Sequence, residues 1–124
     1  MRYLVLLTAA PPASPPPPEL MAAIAALGED ATRAGVLLDT AGLAPSAEGS
    51  RMSVVAGRLN TTDGPFAEAK EMISYALYDV RDQAEAQEWT SRFMRAHQEL
   101  WPGWEGDAEI RRVFGPEDFG PPPG

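Results

Sequence analysis

A chain of 124 residues with 10 basic and 18 acidic side chains is of single-domain length and carries a net charge of -8. That field repels phosphate backbones and anionic lipid surfaces, which argues against nucleic-acid binding and membrane attachment. With no cysteine and one histidine, His97, the chain has no means to build a disulfide framework, a thiolate zinc site, a cysteine nucleophile or a multi-histidine metal centre of its own. No metal and no cofactor is expected.

The opening "MRYLVLLTAA" contains an apolar run of strand length, Arg2 to Leu7. The same stretch resembles the start of a secretory signal. Its brevity, and the "PPASPPPPEL" that its removal would leave exposed, favour a buried first strand and a cytoplasmic protein. Residues 11–18 read as a stiff proline-rich connector, a spacer in polyproline geometry in preference to a docking motif. From Pro18 onward, Leu20, Ile24, Leu27, Ala31 and Ala34 fall three or four apart and predict the buried face of a helix. Proline suits its first turn and Gly35 its end. Gly28 inside it costs about 1 kcal/mol relative to alanine, so this helix depends on packing.

Val36 to Thr40 predicts a second strand. "RMSVVAGRLNTT" then predicts a hairpin with Gly57 and Arg58 at the centre of its turn. After Asp63-Gly64-Pro65-Phe66, "MISYALYDV" alternates, with Ile73, Tyr75 and Leu77 on one face and Ser74, Ala76 and Tyr78 on the other. This pattern predicts a central strand. Asp82 and Glu85 form a capping-box signature, and Ala86, Trp89, Phe93, Ala96 and Leu100 mark the buried face of a second helix. His97 falls one position off that face, as a half-buried or solvated structural histidine. Trp101 and Trp104 are expected to serve packing or a dimer contact. Ala108 to Phe114 is the last predicted strand, so the domain is drawn as 1–115, with 116–124 a flexible tail.

Strand, helix, strand, hairpin, strand, helix, strand is the order of an α+β two-layer sandwich with a mainly antiparallel sheet and both helices on one face. Apolar side chains at alternate positions on the other face predict a homodimer joined through the sheet.

"MRYLVLL", "AGVLLDTAGLAPSAEGSRMSV", "TDGPFAEAKE", a strand ending "YDV" and "AEAQEW" follow one another in an order that resembles the YCII-related proteins, in particular their DGPF subgroup. The resemblance runs from the first strand to Trp89 and is most specific over Thr62 to Glu71. It implies a ferredoxin-like fold whose protomers join sheet to sheet as a dimeric α+β barrel. Founding YciI-type members carry a His-Asp pair proposed to act as an acid-base dyad; the first helix here has no histidine, so that pair does not carry over. The subgroup also resembles proteins encoded near extracytoplasmic-function sigma factors, which implies a regulatory setting. Similar proteins usually show Thr where Ala69 stands and a Gly-Gly pair near Ile73 and Ser74.

Two readings of the motif follow. In one, Asp63 accepts backbone amides within a turn, Phe66 plugs the core, and Glu68, Lys70 and Glu71 are a solvated charge cluster. In the other, Asp63 is a general base at a cleft edge, Lys70 and Arg51 bind a substrate carboxylate or stabilise an enolate, and Phe66, Tyr75 and Tyr78 line the apolar part. The chain is accordingly read as a small dimeric ligand-binding protein or acid-base enzyme acting on a small organic acid or carbonyl compound. The alternative is a non-catalytic interaction or regulatory module.

Overall fold

The computed structural model describes residues 1–120. Its elements are β1 (Arg2–Ala9), α1 (Pro18–Arg33), β2 (Leu37–Gly42), β3 (Ser50–Val55), β4 (Arg58–Asp63), β5 (Glu71–Asp79), α2 (Gln83–Leu100) and β6 (Gly106–Arg112). Short 3-10 turns occupy Ser46–Glu48 and Pro116–Phe119. Four strands form the main sheet in the order β2-β5-β1-β6, every neighbouring pair antiparallel, while β3 and β4 form a separate two-stranded sheet. This is the ferredoxin-like α+β arrangement, with the β3-β4 hairpin inserted between its second and third strands.

Period-two patterning sets the two faces of the sheet. Along β1, Tyr3, Val5, Leu7 and Ala9 are buried, and the residues between them are more exposed. Cross-strand pairing places Tyr78 beside Tyr3 and Ala76 beside Val5 on the inner face, with Leu77 beside Leu4 and Tyr75 beside Leu6 on the outer face. β1 is bonded on both edges, to β5 and to β6, so the segment with a signal-like look is a central strand. Tyr3, Val5, Ala31, Tyr78, Val80 and Ala86 form the core cluster, with Trp89, Leu37 and Ile110 packed against it. This cluster gathers the start of β1, the end of β5, the end of α1 and the start of α2.

Pro18 opens α1 behind the extended Pro17, and Asp82 caps α2 by accepting the amide of Glu85 at 2.9 Å. Only half of the expected capping box forms, because the Glu85 carboxylate turns to Arg81. The hairpin turn also differs from expectation. Val55 pairs with Arg58, so the central residues are Ala56 and Gly57, both at positive φ (51° and 76°), a type I′ geometry that matches strand twist. The sequence reading, by taking glycine as the first central residue, shifted the turn by one. Pro116–Phe119 fold into their 3-10 turn with Arg112 paired to Asp118 at 2.8 Å, a contact that holds the Asp118 carboxyl below its ordinary range. The remainder of the expected tail, 121–124, lies outside the described residues.

A left-handed conformation costs an L-residue such as Ala56 about 1 kcal/mol, whereas asparagine tolerates it. Ala56→Asn should therefore slow amide exchange across β3 and β4 by roughly fivefold, with exchange in β1 unchanged. An unchanged hairpin would show that the turn conformation does not limit its opening.

Candidate functional site

At the Tyr3-Tyr78 end the two layers pack around the core cluster. Toward the other end, small residues face one another: Ser74, Ala76 and Gly42 on the sheet, Gly28 and Ala31 on α1. A cavity of about 540 Å³ lies between them, in the size range of small-molecule sites. A Cβ at Gly28 would meet nothing within 4 Å. Leu20, Met21 and Ile24 of α1 and Phe93 of α2 furnish apolar walls, and no charged side chain lines the cavity among the described residues.

The proline-rich segment is part of this wall. Ala10, Pro12 and Pro16 border the cavity, and the Trp101 indole donates to the Ser14 hydroxyl at 3.4 Å. The segment expected as a spacer is folded back over the C-terminal end of α2. Trp101 and Trp104 stack with ring centroids 6.1 Å apart, and Gly106 lets Trp104 lie flat, since a Cβ there would overlap its ring.

His97 stands inside this aromatic group, only 4% exposed, with ring centroids 4.6 Å from Phe93 and 4.4 Å from Trp104. The expectation of a half-buried or solvated histidine off the helix face is corrected. Ala86, Thr90, Phe93, His97 and Trp101 recur every three or four residues on the inward face, and two of them are polar, which hid the stripe from an apolar count. His97 Nδ1 bonds the Phe93 carbonyl oxygen at 2.9 Å.

The residues singled out from the sequence are dispersed. Asp63 ends β4, exposed, opposite Ser50, and does not line the cavity. Arg51 and Phe66 do meet: the guanidinium lies 4.0 Å from the ring centroid and pairs with Glu68 at 2.6 Å. Lys70 reaches the other way, to Asp107 on β6. Tyr75 contributes to the cavity lining, while its hydroxyl donates to Asp39 at 2.8 Å and that bond raises its pKa. Tyr78 faces inward and borders the cavity, its pKa raised by burial. The two tyrosines thus occupy opposite faces, as the alternation predicts.

The motif's close contacts are with Ser46. The Gly64 amide donates to the Gly49 carbonyl at 2.9 Å, and a Cβ on Gly64 would collide with the Ser46 carbonyl oxygen. Ser46 Oγ donates to Glu71 at 2.6 Å and accepts the Phe66 amide at 3.4 Å. Such a set of contacts clips the base of the hairpin to the main sheet.

Against this geometry, the model of the YCII-related domain matches residues 1–101. The chain belongs to that family. No curated protein matches it. The YCII-related match spans both helices and every strand except β6, which completes the sheet beside β1.

The site geometry separates two neighbouring residues of the motif, Asp63 and Gly64. Gly64→Ala forces the hairpin base off Ser46 and should cost about 1–3 kcal/mol of stability. Asp63→Asn, at an exposed strand end, should stay within about 0.5 kcal/mol in the same denaturant titration. Equal losses from both would make the Asp63 carboxylate part of the clip.

Proposed function

We propose that this YCII-related protein is a small dimeric ligand-binding protein whose ligand occupies the cavity between the helices and the sheet. The observation that carries the reading is the cavity, about 540 Å³, apolar, and walled by elements from both layers and by the proline segment. An occupant of that kind gains burial at roughly 25 cal/mol per Å² of apolar surface, less the entropy it loses on binding.

The acid-base reading centred on Asp63 draws less support. A general base needs partial burial at a cleft, whereas Asp63 is exposed and the nearby cations Arg51 and Lys70 already hold Glu68 and Asp107. We place the ligand at the cavity for that reason. Cytoplasmic localisation belongs to the same proposal and rests on β1 being integral to the sheet. No helix is long and apolar enough to cross a membrane among the described residues.

Dimerisation is supported by the outer sheet face, where Leu4, Leu6, Tyr75 and Leu77 stand side by side, and by the hairpin, where Met52, Val54 and Leu59 are each more than 60% exposed. Apolar surface of this extent is characteristic of interaction sites. The same hairpin favours the alternative reading, an interaction module without chemistry.

Two experiments bear on these points. Gly28→Leu projects a side chain into the open volume and replaces a poor helix former. It should hold or raise the melting temperature while weakening binding of the uncharged fluorophore N-phenyl-1-naphthylamine at least tenfold. Wild type that ignores the fluorophore, or a variant that binds it equally, sinks the cavity reading. In light scattering coupled to gel filtration, wild type should elute at the dimer mass and Leu6→Lys at the monomer mass; a monomeric wild type removes the dimer.

A further inference from the structure

Among the polar side chains of the cavity lining, His97 has a hydrogen-bonding role fixed by its surroundings. The Phe93 carbonyl oxygen can only accept, so the 2.9 Å contact with His97 requires the proton to sit on Nδ1. In the neutral ring, Nε2 then carries a bare lone pair and is an acceptor. No partner among the described residues holds Nε2, yet every buried polar side-chain atom among them is hydrogen-bonded. Nε2 therefore keeps access to open volume, and the volume His97 borders is the cavity.

Building on the cavity reading above, we propose that His97 Nε2 selects the ligand, and that the ligand is an uncharged, mainly apolar molecule presenting a hydroxyl, as an alkylphenol or alkanol does. The walls discriminate against the other classes. A carboxylate would leave water for a cavity with no lysine or arginine in its lining, inside a chain of net charge -8. A ketone or ether offers Nε2 only a second acceptor. A pure hydrocarbon fills the volume but leaves the lone pair without a partner, which costs a buried polar group its solvation. A hydroxyl answers all three requirements, and the fixed ring makes the selection directional. Phe93, Trp101 and Trp104 hold the imidazole by contacts at 4.6, 6.4 and 4.4 Å between centroids, so the acceptor is set before a ligand arrives.

The histidine is the only one in the chain, so its ring nitrogens can be followed by NMR without assignment. At pH 8 the ¹⁵N signature of the full chain should be that of the Nδ1-H tautomer. Titration with 4-propylphenol, propylbenzene and 4-propylbenzoate should rank the phenol tightest, about fivefold or more over propylbenzene, with the benzoate weakest. The Nε2 resonance should move with the phenol only. His97→Phe should erase the phenol's advantage, and His97→Gln, which retains an acceptor, should restore part of it. If His97→Phe does not fold, the wild-type ranking and the tautomer signature decide alone. Equal binding of phenol and propylbenzene with Nε2 unmoved, or an Nε2-H tautomer, overturns the role of His97 and leaves the cavity reading intact. If none of the three compounds binds and Gly28→Leu leaves the fluorophore unaffected, both fall together.

Discussion

Everything distinctive about this molecule follows from how its two layers fail to close. A sheet face and a pair of helices normally interdigitate to crystal-like density. Here that happens at one end, where Tyr3 and Tyr78 stand side by side and Val80, Ala31 and Ala86 fill the gaps. Moving along β5 from Tyr78 to Ala76 to Ser74, the inward side chains shrink, and on α1 the facing positions are Ala31 and Gly28. None of these positions supplies volume, and the larger side chains Leu7, Leu20 and Phe93 wall the space instead of filling it. What remains is open space bordered by residues from Tyr78 and Ala31 to Pro12 and Pro16.

A cavity that is open on one side needs a rim, and the chain supplies one from two unrelated places. The connector between β1 and α1 contributes Pro12 and Pro16; the segment beyond α2 contributes Trp101 and Trp104. Proline holds its φ near one value, so this stretch gives up little conformational freedom when it folds against the indoles. The stiffness that suits a spacer suits a rim equally well. Only the Trp101 to Ser14 contact and the neighbouring walls tell the two apart.

These facts mark where the sequence is legible. Alternation along "MISYALYDV" put Tyr75 and Tyr78 on opposite faces, because a strand's period is two whatever it packs against. Helix α1 was equally readable from its spacing and its proline start. The turn at Ala56-Gly57 was missed because glycine is permitted at both central positions, and only the pairing of Val55 with Arg58 fixes the register. His97 was missed for a different reason: a stripe that includes Thr90 and His97 does not look apolar, although its geometry is that of a buried face. A cavity leaves no periodic trace at all, since it is defined by atoms that are absent. Of the residues named for a site, Tyr75 and Tyr78 border the cavity, Arg51 meets Phe66 at the clip, and Lys70 is drawn away by Asp107 on β6.

The motif that caught the eye in the sequence can now be weighed against the cavity that did not. An inserted hairpin must leave the sheet after β2 and return to start β5, and its two legs must be fastened where they part. Gly64 against Ser46, Ser46 against Glu71 and Phe66, and Arg51 between Phe66 and Glu68 perform that fastening. Each pairing is local, and the ion pair is exposed enough to contribute little alone. Their combined effect is geometric: they aim the hairpin away from the main sheet, so that Met52, Val54 and Leu59 face outward together. Specific residues in a short motif thus need no chemistry to be specific. Chemistry asks for a group that is buried, oriented and left with an unused bond, and on this fold His97 meets that description where Asp63 does not.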